Sequence, residues 1–257
     1  MKNDRVRAKK HLGQHFLKDT RIAAAIVDSL DAAECDAVIE VGPGMGVLTQ
    51  FLAARNFPSL KVVEIDAESV DYLRNNIEGI GQIIEGDFLE LDLRPMGRSV
   101  AVIGNFPYNI SSQIFFKILD NRDMVKEVTG MVQKEVAERI CSAPGSRVYG
   151  ILSVLLKAWY DIEYLFTVNE NVFSPPPKVK SAVIHLKRNN RASLDCDEKL
   201  FFSVVKRCFN QRRKMIRNPV KMMVSPDAGT MPLLSLRAEQ LSVEQFVVLT
   251  NWVASHR

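Results

Sequence analysis

From residue 22 the chain alternates between two hydrophobic rhythms. Short, almost uninterrupted apolar runs (AVIEV at Ala37–Val41, KVVEI at 61–65, QIIE at Gln82–Glu85, SVAVI at 99–103) are separated by longer segments. In those segments, at 21–30, 47–55, 67–78, 111–119 and Lys134–Cys141, apolar residues recur every three or four positions. Continuous Val/Ile runs are typical of strands buried on both faces, and amphipathic helices between them cover a parallel sheet. A further strand is expected at 127–132. The runs 162–168 and 179–187 flank Phe173 and Ser174-Pro175-Pro176-Pro177, and are expected to pair as an antiparallel edge.

The rhythm changes after Arg188. Asn189-Asn190-Arg191 has the character of a linker, and only helical patterns follow, at 198–209 and 242–254. The expected division is an α/β domain over 1–188 and a small all-α domain over 189–257. A length of 257 residues suits one large and one small domain. With 47% apolar and 25% charged residues, the chain is neither disordered nor collagen-like.

Charge sharpens that division. The net +4 hides seven Lys/Arg against two acids in residues 1–21, 15 against 22 in 22–187, and 12 against six in 188–257. Residues 204–221 carry seven basic side chains and no acid. Such segregation suits a polyanion, because Lys and Arg that neutralise phosphates release condensed counterions; a solvated basic helix face is the alternative. Cys35, Cys141, Cys196 and Cys208 form no Cys-x-x-Cys pair and lie near no His cluster, so neither a zinc site nor a disulfide framework is expected. His11 and His15 have i, i+4 spacing but no carboxylate beside them, and no metal is expected there. The charged N-terminus has no apolar core after it, and no run reaches membrane-span length. A cytoplasmic, monomeric protein is the expectation.

Candidate chemistry lies at the strand ends. Glu40-Val41-Gly42-Pro43-Gly44-Met45-Gly46 follows the first strand. Glycines there permit positive φ and let a ligand approach the backbone. A dinucleotide loop needs G-x-G-x-x-G, whereas the last position here falls on Val47 or Thr49, which disfavours an NAD-dependent oxidoreductase. G-x-G-x-G is the spacing of adenosylmethionine enzymes. Glu64, 22 residues after Gly42 at the next strand's end, is placed to accept both ribose hydroxyls of an adenosine. Asp87, in Gly86-Asp87-Phe88, could accept from the adenine amine while Phe88 packs beside the ring. Glu64 and Asp66 are also candidates to cap the following helix.

After the fourth strand comes Asn105-Phe106-Pro107-Tyr108. An adenine exocyclic amine is a poor nucleophile, its lone pair being delocalised into the ring. Two acceptors, the Asn105 side-chain oxygen and the Phe106 carbonyl, can hold its hydrogens and favour a tetrahedral nitrogen. Pro107 fixes φ and removes a competing donor. Tyr108 offers a face on which an extruded base can stack. Neutral acceptors suffice to stabilise charge developing on nitrogen, so no general base is required.

Taken together, these blocks resemble the KsgA (RsmA) type small-subunit rRNA adenine dimethyltransferases. The resemblance also runs through Lys10-His11-Leu12-Gly13-Gln14-His15-Phe16-Leu17, Gln133-Lys134-Glu135-Val136-Ala137, Tyr149-Gly150, 173–179 and Arg212-Arg213-Lys214. It implies a Rossmann-like class I methyltransferase sheet with a small all-α C-terminal domain. The implied cofactor is S-adenosyl-L-methionine, bordered by His15, Leu17, Gly42, Gly44, Glu64, Asp87 and Asn105. Tyr108 and Phe173 would sandwich the target adenine. The implied substrate is two adjacent adenosines in the 3′-terminal hairpin of small-subunit (16S) rRNA, each dimethylated within an immature 30S-type subunit. Lys206, Arg207, Arg212, Arg213, Lys214 and Arg217 would contact phosphates, with no role for membrane or DNA. Two other functions share the fold: a large-subunit rRNA adenine methyltransferase, and a non-catalytic RNA-binding or assembly factor.

Overall fold

The computed structural model describes residues 6–257; the first five residues of the basic N-terminal segment lie outside the described residues. The central sheet contains β2 (Ala37–Val41), β3 (Leu60–Glu64), β4 (Gln82–Glu85), β5 (Val100–Asn105), β6 (Val125–Gln133), β7 (Tyr160–Val168) and β9 (Ser181–Arg188), in the order β4-β3-β2-β5-β6-β9-β7. From β2 to β6 neighbouring strands run parallel. β9 is antiparallel to β6 over seven residue pairs from Glu127↔Lys187 to Gln133↔Ser181. The two late runs do lie side by side, but β9 is an interior strand and β7 forms the edge beside it, opposite β4. Apolar content explains this, since the four apolar residues among the first six of β9, Ala182, Val183, Ile184 and Leu186, are fully buried. A short ribbon pairs β1 (Phe16–Leu17) with β8 (Phe173–Ser174), Leu17 opposite Phe173.

Polar caps start the helices as a side-chain acceptor should. Asp19 accepts from the Arg21 and Ile22 amides at α1 (Thr20–Asp28), and Asp66 from the Glu68 amide at α3 (Ala67–Asn76). Between them α2 is confined to Thr49–Ala53, shorter than the expected 47–55, because the glycine loop runs through Leu48. α4 (Ser111–Asp120) and α5 (Lys134–Cys141) fall where expected.

The chain divides into two compact units: the described residues up to Ala137 with Ile162–Arg188, and Glu138–Asp161 with Asn189–Arg257. The expected break at 188 is therefore one of several, and 138–161 belongs with the helical unit. α6 (Ile151–Lys157) is the reason. Its run from Leu152 to Leu156 is buried throughout, and its sequence pattern assigns it to no element. Just beyond it, Trp159 packs edge-on to Phe201 at 6.1 Å and stacks with Phe202 at 5.5 Å. Those rings lie on α7 (Glu198–Asn210), which packs with α9 (Val243–Ser255); the short α8 (Arg217–Val220) completes the unit. Ser242 and Gln245 form a capping box on α9.

Candidate active site

In the sheet, β2 leads outward to β3 and β4 on one side, and β5 and β6 occupy the other. The strand order therefore reverses between β2 and β5. Ligands of open α/β sheets bind at the carboxyl ends of the strands flanking such a reversal. A cavity of about 250 Å³ lies there, and Gly42, Gly44, Glu64, Asp87, Asn105, Phe106, Pro107 and Tyr108 all line it. Most of the residues singled out in sequence are thus brought to one place by four successive strand ends.

The glycine loop could not be built from other residues. Gly42, Gly44 and Gly46 have φ of 67°, 55° and 74°. A Cβ on Gly44 would also lie 2.8 Å from the Phe16 ring, which leaves no room for a side chain. Glu64 is almost fully buried, and its carboxylate accepts from the amides of Gly44 (3.0 Å) and Asp66 (2.9 Å), one on each oxygen. Burial pushes this carboxyl above its usual range, and the two amides oppose that rise. Each oxygen retains a lone pair, so a vicinal diol fits the carboxylate. Asp87 accepts from the Leu89 amide at 2.8 Å through one oxygen. Phe88 and Ile65, the latter half-exposed, supply apolar walls. Two carboxylates with spare acceptor capacity between apolar faces suit an adenosine.

Asn105 is held from the N-terminal loop. Its Nδ2 donates to the His15 carbonyl at 2.9 Å, which leaves Oδ1 as the acceptor available to a ligand. His15 is therefore tied to Asn105 by its backbone. Its ring nitrogen Nδ1 meets the Pro175 carbonyl at 2.8 Å, and the ring lies 5.3 Å from that of Tyr108. The same loop is anchored at its far end: the Lys9 ammonium pairs with Asp66, and Gln14 Nε2 donates to the same carboxylate at 3.3 Å. Burial would raise Asp66, but the Lys9 and Gln14 contacts outweigh it and hold the carboxyl below its ordinary range. Asp66 is thus a helix cap and a loop anchor, whereas Glu64 faces the cavity.

Phe106 is buried, its ring edge-on to Phe115 at 5.8 Å, over a Gly130 whose Cβ would lie 2.5 Å from it. Only its backbone can serve the cavity. The Tyr108 hydroxyl hydrogen-bonds Ser181 Oγ, and burial raises the phenol further above its usual value, so the ring stays neutral at physiological pH.

These strand ends, loops and spacings leave the family to be decided by comparison. The family model described as ribosomal RNA adenine dimethylase matches residues 5–255. The chain belongs to the ribosomal RNA adenine dimethylase family. Ribosomal RNA small subunit methyltransferase A of Parabacteroides distasonis is 59% identical over 95% of this chain and 93% of its own length. The protein of the same description from Cytophaga hutchinsonii is 55% identical over 98% and 99%. Among solved structures, a dimethyladenosine transferase from Plasmodium falciparum superposes with a TM-score of 0.76 at 24% identity, over 94% of this chain and 99% of that one. The 23S rRNA methyltransferase ErmE gives 0.68 at 25% identity, over 93% and 99%. This adenine dimethylase is an enzyme, which sets aside the non-catalytic and oxidoreductase alternatives.

Two expected site residues lie elsewhere. Phe173 is 1% exposed in the apolar core with Ile26, Leu30 and Met131, because the β1/β8 pairing turns it inward, and it does not line the cavity. Leu17, its partner across the ribbon, is buried in the same cluster and borders two neighbouring cavities but not this one. Residues 12–16 line the cavity in its place, and of these Gln14 and Phe16 carried no signal beyond the resemblance. In the helical unit, Lys206, Arg213, Lys214 and Arg217 are exposed. Arg207 is instead committed to the Pro219 carbonyl at 2.8 Å, and Arg212 to the Arg147 carbonyl and, at 3.6 Å, Glu239. All four cysteines are free, and burial pushes each thiol up to about 11 or 12. No group of three metal-ligating side chains occurs among the described residues.

Proposed function

We propose that this enzyme takes methyl groups from S-adenosyl-L-methionine and places two on the exocyclic amine of each of two adjacent adenosines in the 3′-terminal hairpin of small-subunit rRNA, within an immature subunit in the cytoplasm. The observation that carries the reading is the Asn105 amide, fixed by the His15 carbonyl in a cavity that also holds Glu64 and Asp87. Relatives described as acting on the small subunit, 53–59% identical, favour that RNA.

Glu64 would hold the ribose hydroxyls, Asp87 the adenine amine, and Gly42 and Gly44 the approach of the amino-acid end. When bound, the cofactor supplies an electrophilic methyl group on a sulfonium centre. Asn105 Oδ1 and the Phe106 carbonyl accept from the target amine and stabilise the positive charge that develops on it. These acceptors are fixed before reaction, so no reorganisation cost falls on the transition state. Tyr108, neutral and tethered to Ser181, offers a stacking face rather than a base. Lys206, Arg213, Lys214 and Arg217 would position the RNA through its phosphates.

The test is incubation with labelled S-adenosylmethionine and either immature small subunits or large-subunit rRNA, followed by digestion to nucleosides. Label in dimethyladenosine from the small subunit is expected. Label confined to large-subunit RNA would transfer the reading to that substrate.

A further inference from the structure

A second cavity of about 460 Å³ shares Gly13, Gln14, His15 and Tyr108 with the first. Tyr108 and His15 line both cavities, so the two adjoin at the ring pair. The wall of the second is made by Pro175, Pro176 and Pro177, and Gln133 offers the polar end of β6. Its rim carries two ammonium groups, Lys10 and Lys178, and no carboxylate. Lys178 stands out within residues 22–187, where acids outnumber bases 22 to 15, while Lys10 belongs to the basic N-terminal segment. Both lysines are exposed, and neither forms an ion pair among the described residues. Planar rings, a rigid apolar wall, one amide and two free cations are the elements that hold a single nucleic-acid strand: bases on the rings, phosphates on the cations.

We propose that this cavity seats the acceptor RNA strand, with Lys10 and Lys178 on phosphates flanking the nucleotide that enters the cofactor cavity. The inference rests on the rRNA-adenine reading. It adds an RNA contact to the α/β unit, apart from the basic surface of the helical unit.

The experiment compares wild-type enzyme with the Lys10→Gln/Lys178→Gln double variant and its Lys→Arg counterpart. Immature small subunits serve as substrate, and binding of the isolated RNA hairpin is followed as a function of salt. For the Gln variant the expected results are a KM for subunits raised about tenfold, kcat and cofactor affinity retained, and a salt slope reduced by roughly 1.4 for two single-strand contacts. The Arg variant is expected to restore both. An unchanged slope and KM in the Gln variant would overturn the proposal. Loss of cofactor affinity alongside RNA affinity would also overturn it, assigning the lysines to the other cavity. Failure of the wild type to methylate adenosine in subunits would instead remove the reading beneath it.

Discussion

Asn105 could be named from sequence because its chemistry is local: an amide after a buried strand, followed by an aromatic and a proline. Its orientation could not, since the His15 carbonyl that fixes it is 90 positions away. Phe173 shows the opposite case, a residue whose motif was legible and whose placement was decided by pairing with Leu17. In a core position, Phe173→Ala should cost about 3–5 kcal/mol of stability. Phe173→Leu should keep kcat within about twofold, as measured by methyl transfer at saturating substrates; a large fall in kcat with unchanged thermal stability would restore a stacking role. Glu40 is fully buried and donated to by Thr49 Oγ1 at 2.7 Å, and burial pushes its carboxyl up to about 8. The folded state therefore holds a proton that the unfolded chain gives up near 4.5, and stability falls as pH rises from there to about 8. Glu40→Gln, which still accepts from Thr49, should flatten that decline in denaturant melts taken across the range.

At the scale of elements, the parallel strands were legible because burial on both faces writes itself as unbroken Val/Ile runs, and the glycine loop because positive φ leaves few alternatives. α6 and the interior position of β9 were not, since periodicity cannot separate a wholly buried helix from a strand or say which neighbour a strand takes. The N-terminal loop is the functional example. Nothing in its periodicity indicates that it crosses the cavity, yet Lys9 and Gln14 anchor it on Asp66 while His15 reaches Asn105. Asp66 is lowered from 3.8 and Lys9 raised from 10.5, so their attraction outlasts both values and fades only as pH falls below the first into the lowered carboxyl range or climbs above the second into the raised ammonium range. Lys9→Met should weaken cofactor binding by up to about fivefold at pH 7. Calorimetric titration should show that deficit narrowing below pH 3.8, where the anchor titrates in the wild type as well.

At the scale of the whole molecule, the charge partition visible in sequence is retained, but its members do different work. Arg207 and Arg212 satisfy carbonyls within the helical unit, while Arg213, Lys214 and Arg217 are left to solvent. Replacing those three by Ala should weaken RNA binding and lower the salt slope by about 2–3 with little loss of stability; replacing Arg207 and Arg212 should lower the thermal midpoint instead. Filter binding over a salt series and melting curves separate the two sets. The central claim is that adenosine methylation centres on an amide held ready by the N-terminal loop. Its most direct measurement is mass spectrometry of nucleosides from small-subunit rRNA treated with wild-type and Asn105→Ala enzyme. Dimethyladenosine with the wild type, and at least a hundredfold less with Asn105→Ala while RNA binding persists, is the predicted result. Equal dimethyladenosine from both would contradict it.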